Sequence, residues 1–317
     1  MGAVLDAIGT FFERLADVHF GALGLAICSH LLKTSCTSMA WRNTLAAAYP
    51  ETPVRWRQIW AAYMSGVGVN AIIPARAGDA VKLYLVHRAV PGSTYTTLGA
   101  TLLVLSFFDM AAATLIFVYA LTLGVLPGID SLGSLPGFDF RWVARSPEFA
   151  VLLFVALAIL GVIGLAWVRL HYEDFKHRVR QGFAVLADKT VYLRRVALWQ
   201  AGDWTLRFVA IWFFLGAFGI DQSLRNVLLV QVTQSLATLV PVSPGGIGTE
   251  QAFIVYVFAD TGVGRATLLA FSVGMKLTLT VVNAVVGFTA IFLTLGTVRF
   301  RGVVQPPPPA QDAKPPT

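Results

Sequence analysis

Charge is scarce in this chain of 317 residues: Asp, Glu, Lys and Arg together make up 13% of it. A water-soluble domain carries about a quarter charged residues, so an ordinary soluble globule is excluded. Cysteine is rarer still, with two in the chain. Cys28 and Cys36 fall on one predicted helix, roughly 12 Å apart along its axis, too far for a disulfide. Two cysteines and five histidines without metal-ligand spacing supply no zinc cluster. Gly-x-Ser-x-Gly, His-Glu-x-x-His and the P-loop are also missing, so the sequence predicts no catalytic centre, no cofactor and no nucleotide-driven motor. The pI of about 9.6 raises nucleic acid as a partner, but the basic residues lie in loops, without the signatures of a nucleic-acid binder.

What the chain has in abundance is apolar sequence, with a hydrophobic fraction of 56% and a mean hydropathy of +0.69. A helix needs about 20 apolar residues to cross a bilayer, and the runs 20–41, 97–125, 149–168, 197–219 and 266–297 reach or approach that length. The predicted class is an all-α, polytopic integral membrane protein. Residues 1–18 carry Val4, Leu5, Ile8, Phe11, Phe12 and Leu15 at helical spacing beside Asp6, Glu13 and Asp17, which reads as an interfacial amphipathic helix and not as a signal peptide. Residues 301–317, with Pro306 to Pro309, read as a disordered tail.

Loop charges orient the spans. Arg42, Arg55 and Arg57 against Glu51, and the basic stretch 169–195, mark cytoplasmic loops, whereas 126–148 with Asp130, Asp139 and Glu148 suits the outer face. Arg299 and Arg301 place the carboxyl terminus in the cytoplasm. The segments 57–90 and 225–260 are each too short for two crossings and are interrupted by similar motifs, Pro74-Ala-Arg-Ala-Gly78-Asp79 and Pro244-Gly-Gly-Ile-Gly248-Thr-Glu250. Each is expected to be a re-entrant, broken-helix hairpin. The domain 19–300 then reads as two inverted repeats, 20–125 and 197–297, with 149–168 as the linking span that inverts the second copy. Transporters of this design place the site where the repeats meet.

Broken backbone at membrane depth survives only in protein or beside a wet cavity. Gly245, Gly246 and Gly248, with the helix restarting after them, could form an anion cradle. Arg76 at the other tip adds a guanidinium, and Asp79 and Glu250 sit in the first turns of the restarted helices, where capping the dipole is the plainer role. His30, Lys33 and Thr37 share a face of the first span, and Lys276, Thr280 and Asn283 share a face of the last. Asp109 and Lys276 read as a buried ion pair or as pathway groups. Asp203 and Arg207, four apart, read as an intrahelical salt bridge or as part of the same route. Lys33 could snorkel to the cytoplasmic surface. His30 alone reads as a packing residue. Phe175, Val179, Phe183 and Leu186 among basic residues predict a surface helix on anionic lipid, or a dock for a cytoplasmic synthase.

The run Asn70-Ala-Ile-Ile-Pro-Ala-Arg-Ala-Gly-Asp-Ala-Val-Lys82, with Pro241-Val-Ser-Pro-Gly-Gly-Ile-Gly-Thr-Glu250 downstream, resembles the flippase-like transmembrane domain of lysylphosphatidylglycerol synthases and its free-standing bacterial relatives, the UPF0104-type membrane proteins. The family pattern has Gly where Ala75 stands and Glu where Asp79 stands, with Lys82 in its basic position. The resemblance implies a lipid translocase of the bacterial inner membrane, flippase or scramblase, for a charged, anionic or aminoacylated head group. Arg76, Asp79, Lys82, Gly245, Gly246, Gly248 and Glu250 would bind the substrate, with Asp109, Lys276, Asn283, Arg207 and His30 along the pathway. Membrane phospholipid or polyprenyl-linked lipid is the expected partner, and a homodimer is left open. With only the Pro-rich tail after the last span, no aminoacyl transfer and no enzymatic activity is expected. Two alternatives stay open: an enzyme or subunit acting on a lipid-linked intermediate, with Asp79 and Glu250 as acid and base, and a small-solute transporter.

Overall fold

The computed structural model describes residues 17–73, 76–122, 172–239, 249–258 and 261–295. Most of the amino-terminal segment 1–18, the linking span 149–168, the tail 301–317 and Gly245, Gly246 and Gly248 lie outside the described residues. Within them every regular element is a helix, as expected of an all-α chain.

Four helices form the first half: α1 (Phe20–Ala48), α2 (Trp56–Ile72), α3 (Ala77–Ala89) and α4 (Tyr95–Thr122). Proline sets three of the boundaries, because the residue before a proline is pushed out of helical geometry. Tyr49 precedes Pro50, Ile73 precedes Pro74 and Val90 precedes Pro91, and all three are non-helical end residues. Between the halves lie α5 (Tyr172–Gly182), a short 3-10 turn (Ala184–Ala187), α6 (Lys189–Tyr192) and a π turn (Leu193–Ala197). The second half contains α7 (Leu198–Ala217), α8 (Leu224–Leu239), α9 (Thr249–Val257) and α10 (Arg265–Leu295). Long, short, short, long is thus the helix order in both halves. α4 and α10 are both long and apolar enough to cross a bilayer. Their outward faces show Met110, Leu115, Val281, Val285 and Leu293 more than half exposed, a surface that water does not tolerate in patches of this extent.

α1 and α7 are the central pair and pack along each other more extensively than any other two helices; α2 runs against α10. Exchanging the halves maps α2 on α10 to α8 on α4, α1 on α2 to α7 on α8, and α3 on α4 to α9 on α10; each of these contacts is present. Two apolar clusters lie at opposite ends of α1. At its carboxyl end Trp41, Leu45, Tyr49 and Val54 gather Ile59 from the start of α2, with Val86 and Val90 from the end of α3. At its amino end Ala26 joins Ala217, Phe218 and Val227 with Ile254, Phe258 and Leu268, and the His19 N–H donates to the Ala217 carbonyl at 3.0 Å. Both ends of the α2–α3 hairpin therefore return to one end of α1, and both ends of the α8–α9 hairpin return to the other.

The basic connector packs in part on the helices beside it. α5 is amphipathic as predicted, but its apolar side docks on protein: Phe183, just after it, packs on Phe107 of α4 with ring centroids 6.1 Å apart, and the Gln181 amide donates to the Ala48 carbonyl at 2.9 Å. Leu186 alone of the four apolar positions is exposed.

Candidate functional site

The first hairpin is held shut by close backbone approach. A β-carbon on Gly66 would stand 2.6 Å from the Gly78 carbonyl oxygen, so α2 and α3 approach closely only because both positions lack one. Asn70 of α2 ties the tip together: its Oδ1 accepts from the Gly78 N–H at 2.7 Å, and its Nδ2 donates to Asp79 Oδ1 at 3.2 Å. Asp79 is also met by Lys82 Nζ at 2.9 Å and by Arg76 Nε at 3.1 Å. Three of the expected binding residues, Arg76, Asp79 and Lys82, are thus brought together. One carboxylate between two cations leaves the cluster with a surplus positive charge.

Arg76 stands immediately before α3 with φ 57°, in the left-handed region, which costs a side-chain-bearing residue roughly 1–2 kcal/mol. Strain of this kind gathers at functional sites. Its side chain is 85% exposed, while Lys82 is largely buried and lies over the Tyr63 ring, 5.4 Å from its centroid.

The second hairpin repeats the chemistry. Glu250, in the first turn of α9, is buried; it accepts from the Gln234 amide of α8 at 3.2 Å and from Lys276 of α10 at 3.2 Å. Each hairpin therefore has a carboxylate at the start of its second arm, bonded by a carboxamide from the first arm and by a lysine. Sequence reasoning missed both carboxamides. Asn70 and Gln234 stand at different distances from their prolines, so spacing alone does not equate them. Gly245, Gly246 and Gly248 fall outside the described residues, and the cradle they were expected to form is not described.

A third polar cluster ties α1 to α7. Asp203 is buried, accepts from the Thr37 hydroxyl at 2.6 Å and from Arg207 Nη2 at 3.0 Å, and has Lys33 Nζ at 3.9 Å. The predicted Asp203–Arg207 bridge is present, but it belongs to this wider network. Lys33 does not snorkel: it turns inward to Asp203. Asp109 and Lys276 do not pair with each other. Lys276 is taken by Glu250, and Asp109 accepts from the Trp204 indole at 3.0 Å, while Arg207 stacks on the same indole at 4.5 Å. His30 is satisfied at a helix contact: its Nε2 bonds Asn283 Oδ1 at 2.8 Å and links α1 to α10.

Beside these clusters α2 and α10 meet at glycine. A β-carbon on Gly287 would fall 2.5 Å from Gly68 Cα and 2.6 Å from the Met64 carbonyl oxygen. Among the described residues no group of His, Cys, Asp and Glu has the arrangement of a metal site.

Comparison with known proteins places this arrangement. The family profile for the lysylphosphatidylglycerol synthase TM region matches residues 3–287. A glycosyltransferase, AglD, of Haloferax volcanii is 29% identical over 75% of this chain, which spans 44% of that relative's length. UPF0104 membrane proteins of Methanothermobacter thermautotrophicus and Pyrococcus horikoshii are each 22% identical, over 80% and 82% of this chain and 79% and 82% of their own lengths. No solved structure matches. The relative named a glycosyltransferase overturns the expectation that the chain has no enzymatic activity, which rested on missing soluble-enzyme motifs. Coverage from residue 3 to residue 287 takes in both hairpins and both central helices, and the chain belongs to the lysylphosphatidylglycerol synthase TM region family of integral membrane proteins.

Proposed function

We propose that this protein moves a lipid with a charged head group between the leaflets of the cytoplasmic membrane, as a flippase or scramblase, with the head group handled at the two hairpin tips. The single observation that carries this reading is the matched pair of clusters, Asn70–Asp79–Lys82 and Gln234–Glu250–Lys276, at the breaks of two short helix pairs. Charged groups at membrane depth are costly unless they face an interior route.

The reading takes the hairpins as re-entrant and the halves as inverted repeats meeting near the midplane. Its supports are the return of each hairpin to its own end of α1 and the contact pattern that survives exchange of the halves. Arg76 and Lys82, with one shared counter-charge, offer net positive charge to a phosphate or carboxylate, and Gly245, Gly246 and Gly248 would complete the site from the second tip. The test is movement of fluorescent phosphatidylglycerol across liposomes holding the purified protein, with and without a pH gradient. Movement lost in Arg76→Ala supports the reading, and unchanged movement in that variant overturns the site.

The relative named a glycosyltransferase favours a second reading: participation in glycosyl transfer. Asp79 and Glu250 are then acid and base only if they are released from their lysines. A new glycosylated lipid, seen by mass spectrometry after incubation with nucleotide sugars and membrane lipid, would establish it.

A further inference from the structure

We infer that the groove between the end of α1 and the start of α2 is a docking site for the phosphate-bearing head group of an anionic phospholipid, separate from the hairpin tips. The groove has a volume of about 810 Å³ and is lined by Met39, Arg42, Val54, Arg55, Trp56 and Arg57 among others, a size that suits a head group with the first carbons of its chains. Its chemistry is divided as an amphiphile is. Met39, Val54 and Trp56 give it apolar lining, and Arg42, Arg55 and Arg57 stand among the same lining residues.

The parts are held in place by bonds that leave the charges free. Arg42 donates from Nε to the Val54 carbonyl at 2.9 Å and from Nη1 to Asn43 at 3.0 Å, which fixes the loop against α1. The Trp56 indole donates to Ser38 at 3.1 Å, setting the ring at the helix start as an interfacial anchor. Arg55 and Arg57 are exposed, and neither has a carboxylate within ion-pair distance among the described residues. Glu51, the acid of this loop, pairs with none of them. Asn43 also bonds the Arg195 carbonyl, bringing the exposed Arg194 and Arg195 to the same end of the molecule. Unpaired arginines around an apolar groove at one end of the central helix pair complement a leaflet of anionic lipid, and a free anion would leave the apolar lining uncovered.

The experiment is native mass spectrometry of the full chain released from micelles containing equal phosphatidylglycerol and phosphatidylcholine. The expected result is retained phosphatidylglycerol that falls about thirtyfold in affinity in the R55Q/R57Q variant, two surface charges' worth, and falls in Trp56→Ala as well. Excess inorganic phosphate should leave the lipid bound. Retention in R55Q/R57Q equal to that of the unaltered chain, or equal retention of phosphatidylcholine, overturns the site. So does displacement by phosphate alone, which would make it a free-anion site. R55Q/R57Q should still move fluorescent phosphatidylglycerol across liposomes at the rate of the unaltered chain, so failure of the translocase reading and failure of this one give different results. A melting temperature matching the unaltered chain shows that the substituted chains are folded.

Discussion

His30 and Asn283 are joined across α1 and α10 by a hydrogen bond of 2.8 Å, and one sequence offset carries the pair onto Trp204 and Asp109, joined across α7 and α4 at 3.0 Å. The offset that maps α1 onto α7 thus also maps α10 onto α4, in agreement with helix contacts that persist when the halves are exchanged. The side chains of the two pairs differ, yet a polar bond is present at both.

The two bonds are expected to do the same structural task. His30→Phe and Trp204→Phe each leave a partner at an interhelical contact without its bond, a loss of about 1–3 kcal/mol. Thermal unfolding in detergent should show both variants destabilised by similar amounts. A large loss in one and none in the other would mean that the matched bonds are coincidental.

Arg76 separates strain from charge. Arg76→Gly relieves the left-handed backbone at φ 57° and should raise stability by about 1 kcal/mol, while removing the guanidinium and with it lipid movement. Arg76→Lys keeps the charge and the strain but loses the planar fork, and should retain part of the movement. The pair of melting curves and liposome rates checks this, and full activity in Arg76→Gly would remove the side chain from the site.

Much of this architecture was legible in the sequence because it rests on short-range rules. The break at Pro74 and the acids Asp79 and Glu250 in the first turns after the breaks were read from the sequence, whereas the first span, expected to end at 41, runs on to Ala48 before Pro50. Side-chain partners were less legible, since they depend on helix rotation. Lys33 could be read toward the surface, and Lys276 as paired with Asp109 or as a pathway group, because sequence gives the face of a helix but not its neighbour. Asn70 and Gln234 carried no signal of their own until the hairpins placed them beside a carboxylate. Phe183 reads the same whether its face meets lipid or α4.

Close approach of α2 and α10 admits no side chain at its centre. Gly287→Val places branched carbons where Gly68 Cα and the Met64 carbonyl already lie, and overpacking of this kind costs about 1–3 kcal/mol or more. Reduced yield of monodisperse protein and a lower melting temperature are expected. Gly21→Val is the control, because its β-carbon would meet nothing within 4 Å; it should behave as the unaltered chain.

Asp203 is the counter-charge for two cations at the seam of the halves. Asp203→Ala strands Lys33 and Arg207 beside each other, and removing one partner from a buried ion pair costs about 3–5 kcal/mol. Asp203→Asn keeps the Thr37 bond but not the charge, so it should fall between. The informative variant is the double one, D203A with K33M, which removes one acid and one base and leaves Arg207 stacked on Trp204. If the network is structural, the double variant regains most of the lost stability together with lipid movement. If Lys33 and Asp203 also carry charge along the pathway, stability returns while movement does not. Melting curves read beside liposome rates for the three variants distinguish a brace between α1 and α7 from a working part of the pathway.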